Sequence, residues 1–230
     1  MQVCNCPAAT ALTTIPAAQC SETFGQIQKV AFQRLKLSDG TDNTFDDAAT
    51  ATDIKKKAAW TAKMALSTSG KIVISPYIQA PTSEAGDART FGGGNDTLGG
   101  IEMVIGRNPT TFSGVLRGVP QSVIKVMKEL QCEAQADNLG VFLFDENGNI
   151  EGIKHTWTTG AGTEQDPTVT HVGYKPIPIR ALFISDKAHG GLEAPDSNNI
   201  SWSFKPNFSD DLAIVTPDDF NPLTDLVPAS

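Results

Sequence analysis

The sequence has few of the residues that build disulfide scaffolds or metal centres. Its 230 residues include only four cysteines and three histidines, which is too few cysteines for a disulfide framework in a chain of this size. Cys4 and Cys6 form a Cys-x-Cys pair rather than the Cys-x2-Cys of a zinc knuckle, and Cys20 and Cys132 are scattered. We therefore expect no metal and reduced thiols, with Cys132 on the buried or boundary face of a helix.

Long apolar runs and an excess of positive charge are also missing. No stretch approaches the ~18–20 residues of a membrane span, and the N-terminus has no secretory-signal pattern. We expect a soluble chain without a membrane anchor that stays where it is made. The net charge of −8 and the pI of about 4.8 argue against a nucleic-acid binder, because such proteins carry basic patches.

Catalytic motifs are absent as well. There is no Gly-x-Ser-x-Gly, and His155, His171 and His189 have no cysteine or serine at a recognisable catalytic spacing. The run Gly-Gly-Gly-Asn at residues 92–95 lacks the Gly-Lys-Ser/Thr of a phosphate-binding loop. The sequence predicts no enzyme and no cofactor, which favours a binding or assembly role.

One stretch, Asp-Glu-Asn-Gly-Asn at residues 145–149, offers several oxygen ligands. Asp145, Asn147 and Asn149 fit the first, third and fifth positions of a calcium loop, but glycine falls at the fourth position instead of the sixth. Asn147-Gly148 is instead a strong signal for a hairpin turn of type I′. We therefore predict a turn rather than an ion site, with Asp145 opposite Ile150.

Apolar periodicity predicts a mainly β protein with flanking helices, of the α+β class. Alternating or short apolar runs indicate strands at residues 24–37, 71–77, 101–105, 110–119, 139–144, 149–157, 177–185 and 200–204. Helices are predicted near residues 52–66 and 121–136. This gives an antiparallel β-sandwich or barrel over residues 24–205. An extended N-terminal arm spans residues 1–23, and an acidic C-terminal arm without lysine or arginine spans residues 206–230.

Residues 81–100 contain six glycines and predict a long loop. Loops beyond ~12–15 residues in a compact domain are usually functional or mobile. We also predict that the strands at 101–105 and 110–119 pair with each other through residues 106–109. Together with the two arms, the loop is the predicted subunit interface, through Glu84, Asp87, Arg89, Phe91, Asn95 and Leu98.

Several passages between about residues 24 and 155 resemble structural proteins of tailed bacteriophages and prophages of the Bacteroidetes type. Within that group the chain looks most like a major tail or tail tube protein. The resemblance is one of overall texture, and its passages are Phe24-Gly-Gln-Ile-Gln-Lys, Pro81-Thr-Ser-Glu-Ala-Gly, Phe91-Gly-Gly-Gly-Asn, Gly99-Gly-Ile, Pro120-Gln-Ser-Val-Ile and the run from Leu139 to Ile150.

The resemblance implies a small β-sandwich or barrel with a flanking helix, assembled as stacked hexameric rings in a virion built in the host cytoplasm. Its partners would be copies of itself and other phage tail or neck proteins, while DNA passes through the tube without specific binding. An acidic lumen would repel the phosphates. The same sequence passages are also compatible with another virion component, such as a capsid decoration, connector or neck protein.

A carbohydrate-binding β-sandwich is the alternative from another class. Trp60, Trp157 and Trp202 could serve as stacking platforms for sugars, although packing in a core or an interface is the more usual role for tryptophan in strands.

Overall fold

The computed structural model describes residues 25–47, 51–94, 100–159 and 168–227. Within these ranges it contains two helices and thirteen strands. In chain order they are β1 (Ile27–Arg34), β2 (Phe45–Asp46), α1 (Lys57–Met64), β3 (Ile72–Ile74), β4 (Gln79–Glu84), β5 (Ala88–Gly92), β6 (Glu102–Arg107), β7 (Thr111–Arg117), α2 (Gln121–Gln135), β8 (Leu139–Asp145), β9 (Ile150–Thr159), β10 (Val169–Lys175), β11 (Ile177–Ile184), β12 (Ser197–Phe204) and β13 (Leu212–Val215). The predicted N-terminal arm lies outside the described residues.

Eleven of the described strands form one continuous sheet, and all its strand pairs are antiparallel. The sheet has two halves. The outer half runs β4-β7-β12-β11, and the central half contains β3, β1, β8, β9, β10, β2 and β13. A short pairing of β11 with β8, at Ile177↔Val141 and Pro178↔Gly140, joins them. The predicted class, mainly β with flanking helices and sandwich-like, is confirmed.

Strand β8 is the centre of this arrangement. Its sequence, Leu-Gly-Val-Phe-Leu-Phe-Asp, is buried at every position, as expected for a strand covered on both faces. β1 pairs along one edge from Ile27↔Asp145 to Arg34↔Leu139. The other edge is shared, because β11 pairs with its first half and β9 with its second.

The first core fills the space between the two halves of the sheet. Val141 and Leu143 point into it from β8, and Phe112 and Trp202 from the outer half stack at 4.0 Å between ring centroids. Helix α2 adds Ile124, which is fully buried. Helix α2 therefore covers the first core through Ile124, Met127 and Ala134.

The second core lies on the opposite face of β8 and is built around Trp60. The indole stacks on Phe45 at 4.5 Å and meets Phe142 and Phe144 edge-on at 5.3 and 5.5 Å. Its Nε1 donates to the carbonyl of Ile54 at 2.8 Å. The short helix α1 is therefore held by one large aromatic side chain rather than by a long apolar stripe.

The two helix predictions had different outcomes. The predicted helix at 121–136 is observed as Gln121–Gln135, although the apolar side chain of Val123 on this helix is exposed. The predicted helix at 52–66 shortens to Lys57–Met64. The residues before it form a separate turn, which the Asp53 carboxylate closes by accepting from the backbone N–H of Lys55 at 2.9 Å.

The turn at 145–149 is observed, but not as type I′. The Asp145 carboxylate holds the turn together, since its Oδ1 accepts from the N–H groups of Asn147 and Asn149 at 2.9 and 2.8 Å. Of the turn residues only Gly148 has positive φ, at 80°. The loop therefore has three residues, and Phe144 rather than Asp145 lies opposite Ile150. The predicted register was wrong by one residue.

The predicted acidic arm at 206–230 is packed onto the domain as far as Leu226. β13 pairs with β9, and Leu223 and Leu226 are buried in the second core. The buried Lys29 donates from Nζ to the carbonyls of both leucines at 2.7 and 3.3 Å, and burial lowers its pKa. The apolar residues between the aspartates therefore anchor this segment, although its negative charge alone predicted a detached arm.

The described part of the predicted long loop at 81–100 contains the end of β4, as far as Glu84, and the whole of β5. β4 pairs with β7, and β5 pairs with β6. The predicted hairpin of 101–105 with 110–119 was therefore wrong, because β7 pairs with β4 and β12 instead. The short strand β2, the polar strand β10 and β13 were not predicted. Cys132, expected on a buried or boundary face, is exposed.

Glu151 is the one acidic residue of β9 that points into the first core region. It is 3% exposed. Burial, together with the nearby charge of Asp145, raises its pKa to about 7. The folded state therefore keeps the proton on Glu151 at pH values where the unfolded chain releases it.

We predict that Trp60→Ala lowers the free energy of unfolding by ~3–5 kcal/mol, because the indole is fully buried among aromatic rings. Trp157→Ala is the matched control, since Trp157 is partly exposed, and should cost ~1 kcal/mol. Urea denaturation of both variants measures the difference. Equal losses would contradict the assignment of Trp60 as the anchor of the second core.

We also predict that Glu151→Gln changes how stability depends on pH. Because the folded pKa of about 7 lies above the unfolded value, the contribution of this group is largest below the unfolded pKa and is lost as pH rises through about 7. The Gln variant should be more stable than the wild type by roughly 3 kcal/mol at pH 8, with little difference near pH 4. Parallel curves of unfolding free energy against pH would refute this.

Candidate interaction surface

The β5–β6 hairpin stands apart from the main sheet. Among the described residues its two strands pair only with each other. At its base the N–H of Asn108 donates to the carbonyl of Asp87 at 2.8 Å. Arg107 donates from Nη1 to Oδ1 of Asn207 at 2.8 Å, which ties the base to the segment before β13. The hairpin therefore projects from a fixed base.

Large apolar side chains on this hairpin are open to solvent. Their exposed fractions run from 48% for Met103 to 68% for Val104. Phe91 lies opposite Met103, and Thr90 lies opposite Val104, so successive pairs face opposite sides of the ribbon. The apolar surface is therefore present on both faces. Its members are Phe91, Ile101, Met103, Val104 and Ile105.

Such a ribbon is poorly suited to stand alone in water. An isolated two-stranded hairpin is at best marginally stable, and its outer edges present unpaired backbone groups to other chains. A cluster of exposed large apolar side chains marks an interaction site. The hairpin thus has the properties of a segment that a partner covers.

Four of the six predicted interface residues lie on or beside this hairpin. Glu84 ends β4, Asp87 is at the hairpin base, and Arg89 and Phe91 are in β5; all four are exposed. Asn95 and Leu98 lie outside the described residues. The structure therefore places Asp87, Arg89 and Phe91 on the hairpin or at its base, and Glu84 beside it in the main sheet.

The sequence analysis predicted a strand at 101–105, but it assigned the wrong partner strand and did not identify Met103, Val104 and Ile105 as exposed. An apolar run gives no indication of whether anything covers it. The signal that could have found them is the glycine-rich connection before residue 101, which suits the turn of a hairpin joining β5 to β6.

A second apolar surface lies between β3 and α2. It is a groove of about 620 Å³ lined by Met64, Lys71, Ile72, Val73, Ile74, Pro76, Gly118, Val119, Pro120, Ser122, Val123, Val126 and Met127. Val126 is 55% exposed. β3 pairs only with β1 in the described chain, so its other edge is open. Four consecutive residues, 71–74, line the groove. Because consecutive side chains of a strand point to opposite faces, a groove that contacts all four lies along this open edge. We call this surface the β3–α2 groove.

The hairpin base and the β3–α2 groove lie at opposite ends of β7. The hairpin leads into Thr111, the first residue of β7, and Glu84 of β4 pairs there. Gly118, Val119 and Pro120, which follow the last residue of β7, line the groove. A strand of this length spans ~20 Å. The two apolar surfaces are therefore separated along one axis of the molecule.

The tryptophans offer little surface for sugars. Trp60 and Trp202 are buried in the two cores. Trp157 is partly exposed, but its ring stacks between His155 and His171 at centroid distances of 5.8 and 5.3 Å. Two of the three proposed platforms are therefore core residues.

Comparison with known proteins gives no relative. No protein-family model matches the chain, and neither the curated proteins nor the solved structures contain a significant match. In the described part of the chain no helix is long and apolar enough to cross a membrane. The described residues also bring no three histidine, cysteine, aspartate or glutamate side chains together as a metal site.

We predict that the double substitution Val104→Lys/Ile105→Lys leaves the stability of the folded subunit within ~0.5 kcal/mol of the wild type, because both side chains are exposed. Binding of an apolar fluorescent dye should fall, and urea denaturation should be unchanged. Leu116→Lys on β7, at a fully buried position, is the contrasting control and should prevent folding. Unfolding of the double variant would show that the hairpin is part of the core.

Proposed function

We propose that this chain is a non-enzymatic structural subunit that assembles with copies of itself. The observation that carries the proposal is the projecting β5–β6 hairpin with apolar side chains on both faces. Full burial of one such side chain is worth ~1.5–3 kcal/mol, so a partner that covers several of them gains a large part of the affinity of a stable contact.

The partner surface that fits best is the β3–α2 groove of a second copy. The groove is apolar and offers the open edge of β3, to which a strand can add by backbone hydrogen bonds. The hairpin and the groove are different surfaces at opposite ends of β7. Contact between them is head to tail, which produces a closed ring or an open filament.

The specific role that we propose is the tail tube subunit of a tailed bacteriophage, stacked as hexameric rings into a conduit for DNA. The resemblance of residues 24 to 155 supports this role, and so does a mainly β fold with α2 on its flank. The net charge of −8 suits a conduit, because an acidic wall repels phosphate. Its partners are further copies and other tail or neck proteins in the virion. The alternative function is that of another virion component, such as a capsid decoration, connector or neck protein.

Removing the hairpin should abolish assembly without unfolding the subunit. We propose deleting residues 88–107 and bridging Asp87 to Asn108, which already share a hydrogen bond at 2.8 Å, with Asn-Gly. Deleting only residues 86–97 would leave β6 without its partner β5. Electron microscopy should show rings or tubes on the ~100 Å scale for the wild type, about six domains side by side, and monomers for the deletion.

Two results would refute the assembly role. One is a wild-type protein that stays strictly monomeric at high concentration, even with tail-tip components added. The other is a deletion variant that forms rings as the wild type does. Tail-only and head-only virion fractions, analysed by mass spectrometry, separate a tail role from a capsid or neck role.

A mixing experiment tests the head-to-tail contact. The hairpin variant Val104→Lys/Ile105→Lys and the groove variant Val126→Lys should each fail to polymerise alone, because each lacks one half of the contact. Mixed together, they should form only dimers, measured by light scattering, since one intact hairpin meets one intact groove. Leu192→Lys is the control, because Leu192 is exposed and lies neither on the hairpin nor in the lining of the groove, and this variant should assemble normally. Polymers of either single variant would contradict this contact.

A further inference from the structure

A second cavity lies between the two halves of the sheet, at the same end of the molecule as the hairpin base. It has a volume of about 360 Å³. Its wall is mainly apolar, from Phe112 of β7, Leu143 of β8, Phe204 of β12, Leu212 of β13, and Phe208 in the segment before β13. This volume falls at the lower end of the range of small-molecule sites.

Among the described residues, Glu151 is the one charged side chain in the wall of this cavity. It is 3% exposed, and among the described residues its Oε1 is fully buried with no hydrogen-bond partner. Its neighbours across the strands are Leu143 on β8 and Ile214 on β13, which offer no charge. A buried carboxylate therefore points into an apolar cavity without a partner.

The groups around Glu151 do not compensate its charge. The parts of β1, β4, β7, β8 and β12 that line the cavity carry no basic side chain. The charge of Asp145 acts on Glu151 with the same sign, and Asp145 is itself occupied by the turn at 145–149. An uncompensated buried carboxylate is costly, and a cation that enters the cavity removes that cost.

We propose that the cavity between the sheet halves binds a small amphipathic cation, a primary amine with an apolar chain of about six carbons. The ammonium group pairs with the carboxylate of Glu151, and the apolar chain lies against Phe112, Phe204 and Phe208. An anion is excluded by the carboxylate, and a neutral apolar molecule leaves Oε1 unpaired. Ser83 and Ser209, also in the wall, add hydroxyl groups.

The probe for this site is n-hexylamine, with n-hexanol and hexanoate as matched molecules of the same length. Calorimetric titration at pH 8 should show hexylamine binding to the full chain, with the other two weaker by at least about tenfold. Lowering the pH to 5.5 should weaken hexylamine by a similar factor, because Glu151 then takes up a proton and its charge is lost.

Three variants separate the site from general effects. Glu151→Gln should weaken hexylamine about tenfold or more while the chain stays folded. Glu146→Gln changes an exposed carboxylate in the adjacent turn and should leave binding unchanged. Ser209→Trp narrows the cavity at an exposed position of its wall and should also weaken binding. The proposal is overturned if the wild type binds no hexylamine, or if Glu151→Gln binds it as tightly as the wild type.

Discussion

The structure depends on burying both faces of β8. Seven consecutive residues without exposed surface require a layer on each side, so the chain must build two cores rather than one. The outer half of the sheet with α2 covers one face, and α1 with the C-terminal segment covers the other. This explains why an acidic C-terminal segment is held by Lys29 and two buried leucines. Without that segment, part of the second core would face water.

Two of the features that this packing leaves uncompensated lie at the same end of the first core. The β5–β6 hairpin connects the end of β4 to the start of β7. The cavity with Glu151 is lined by residues of β4 and of the segment before β13. One exposes apolar surface to water, and the other buries a charge without a partner. Each is costly for a lone subunit, and each is relieved by a bound partner of the matching chemistry.

The assembly proposal and the amine proposal rest on separate residues. The hairpin side chains, Phe91, Met103, Val104 and Ile105, do not line the cavity, and Glu151 does not line the β3–α2 groove. The proposed role as an assembling structural subunit needs only the first. The second would make the region between the sheet halves sensitive to small amphipathic cations and, through the raised pKa of Glu151, to pH near neutrality.

Local chemistry in the sequence determined α2, the buried strand β8, the mainly β class and the turn at Gly148. In each case neighbours along the chain supply the signal: apolar residues at helical spacing, a continuous apolar run, and an Asn-Gly pair. Only the tertiary structure decided three further outcomes. These are the pairing of β6 with β5, the three-residue turn whose register points Glu151 into the first core, and the packing of residues 212–226 on the second core. Those outcomes depend on contacts between residues far apart in sequence, which periodicity does not encode.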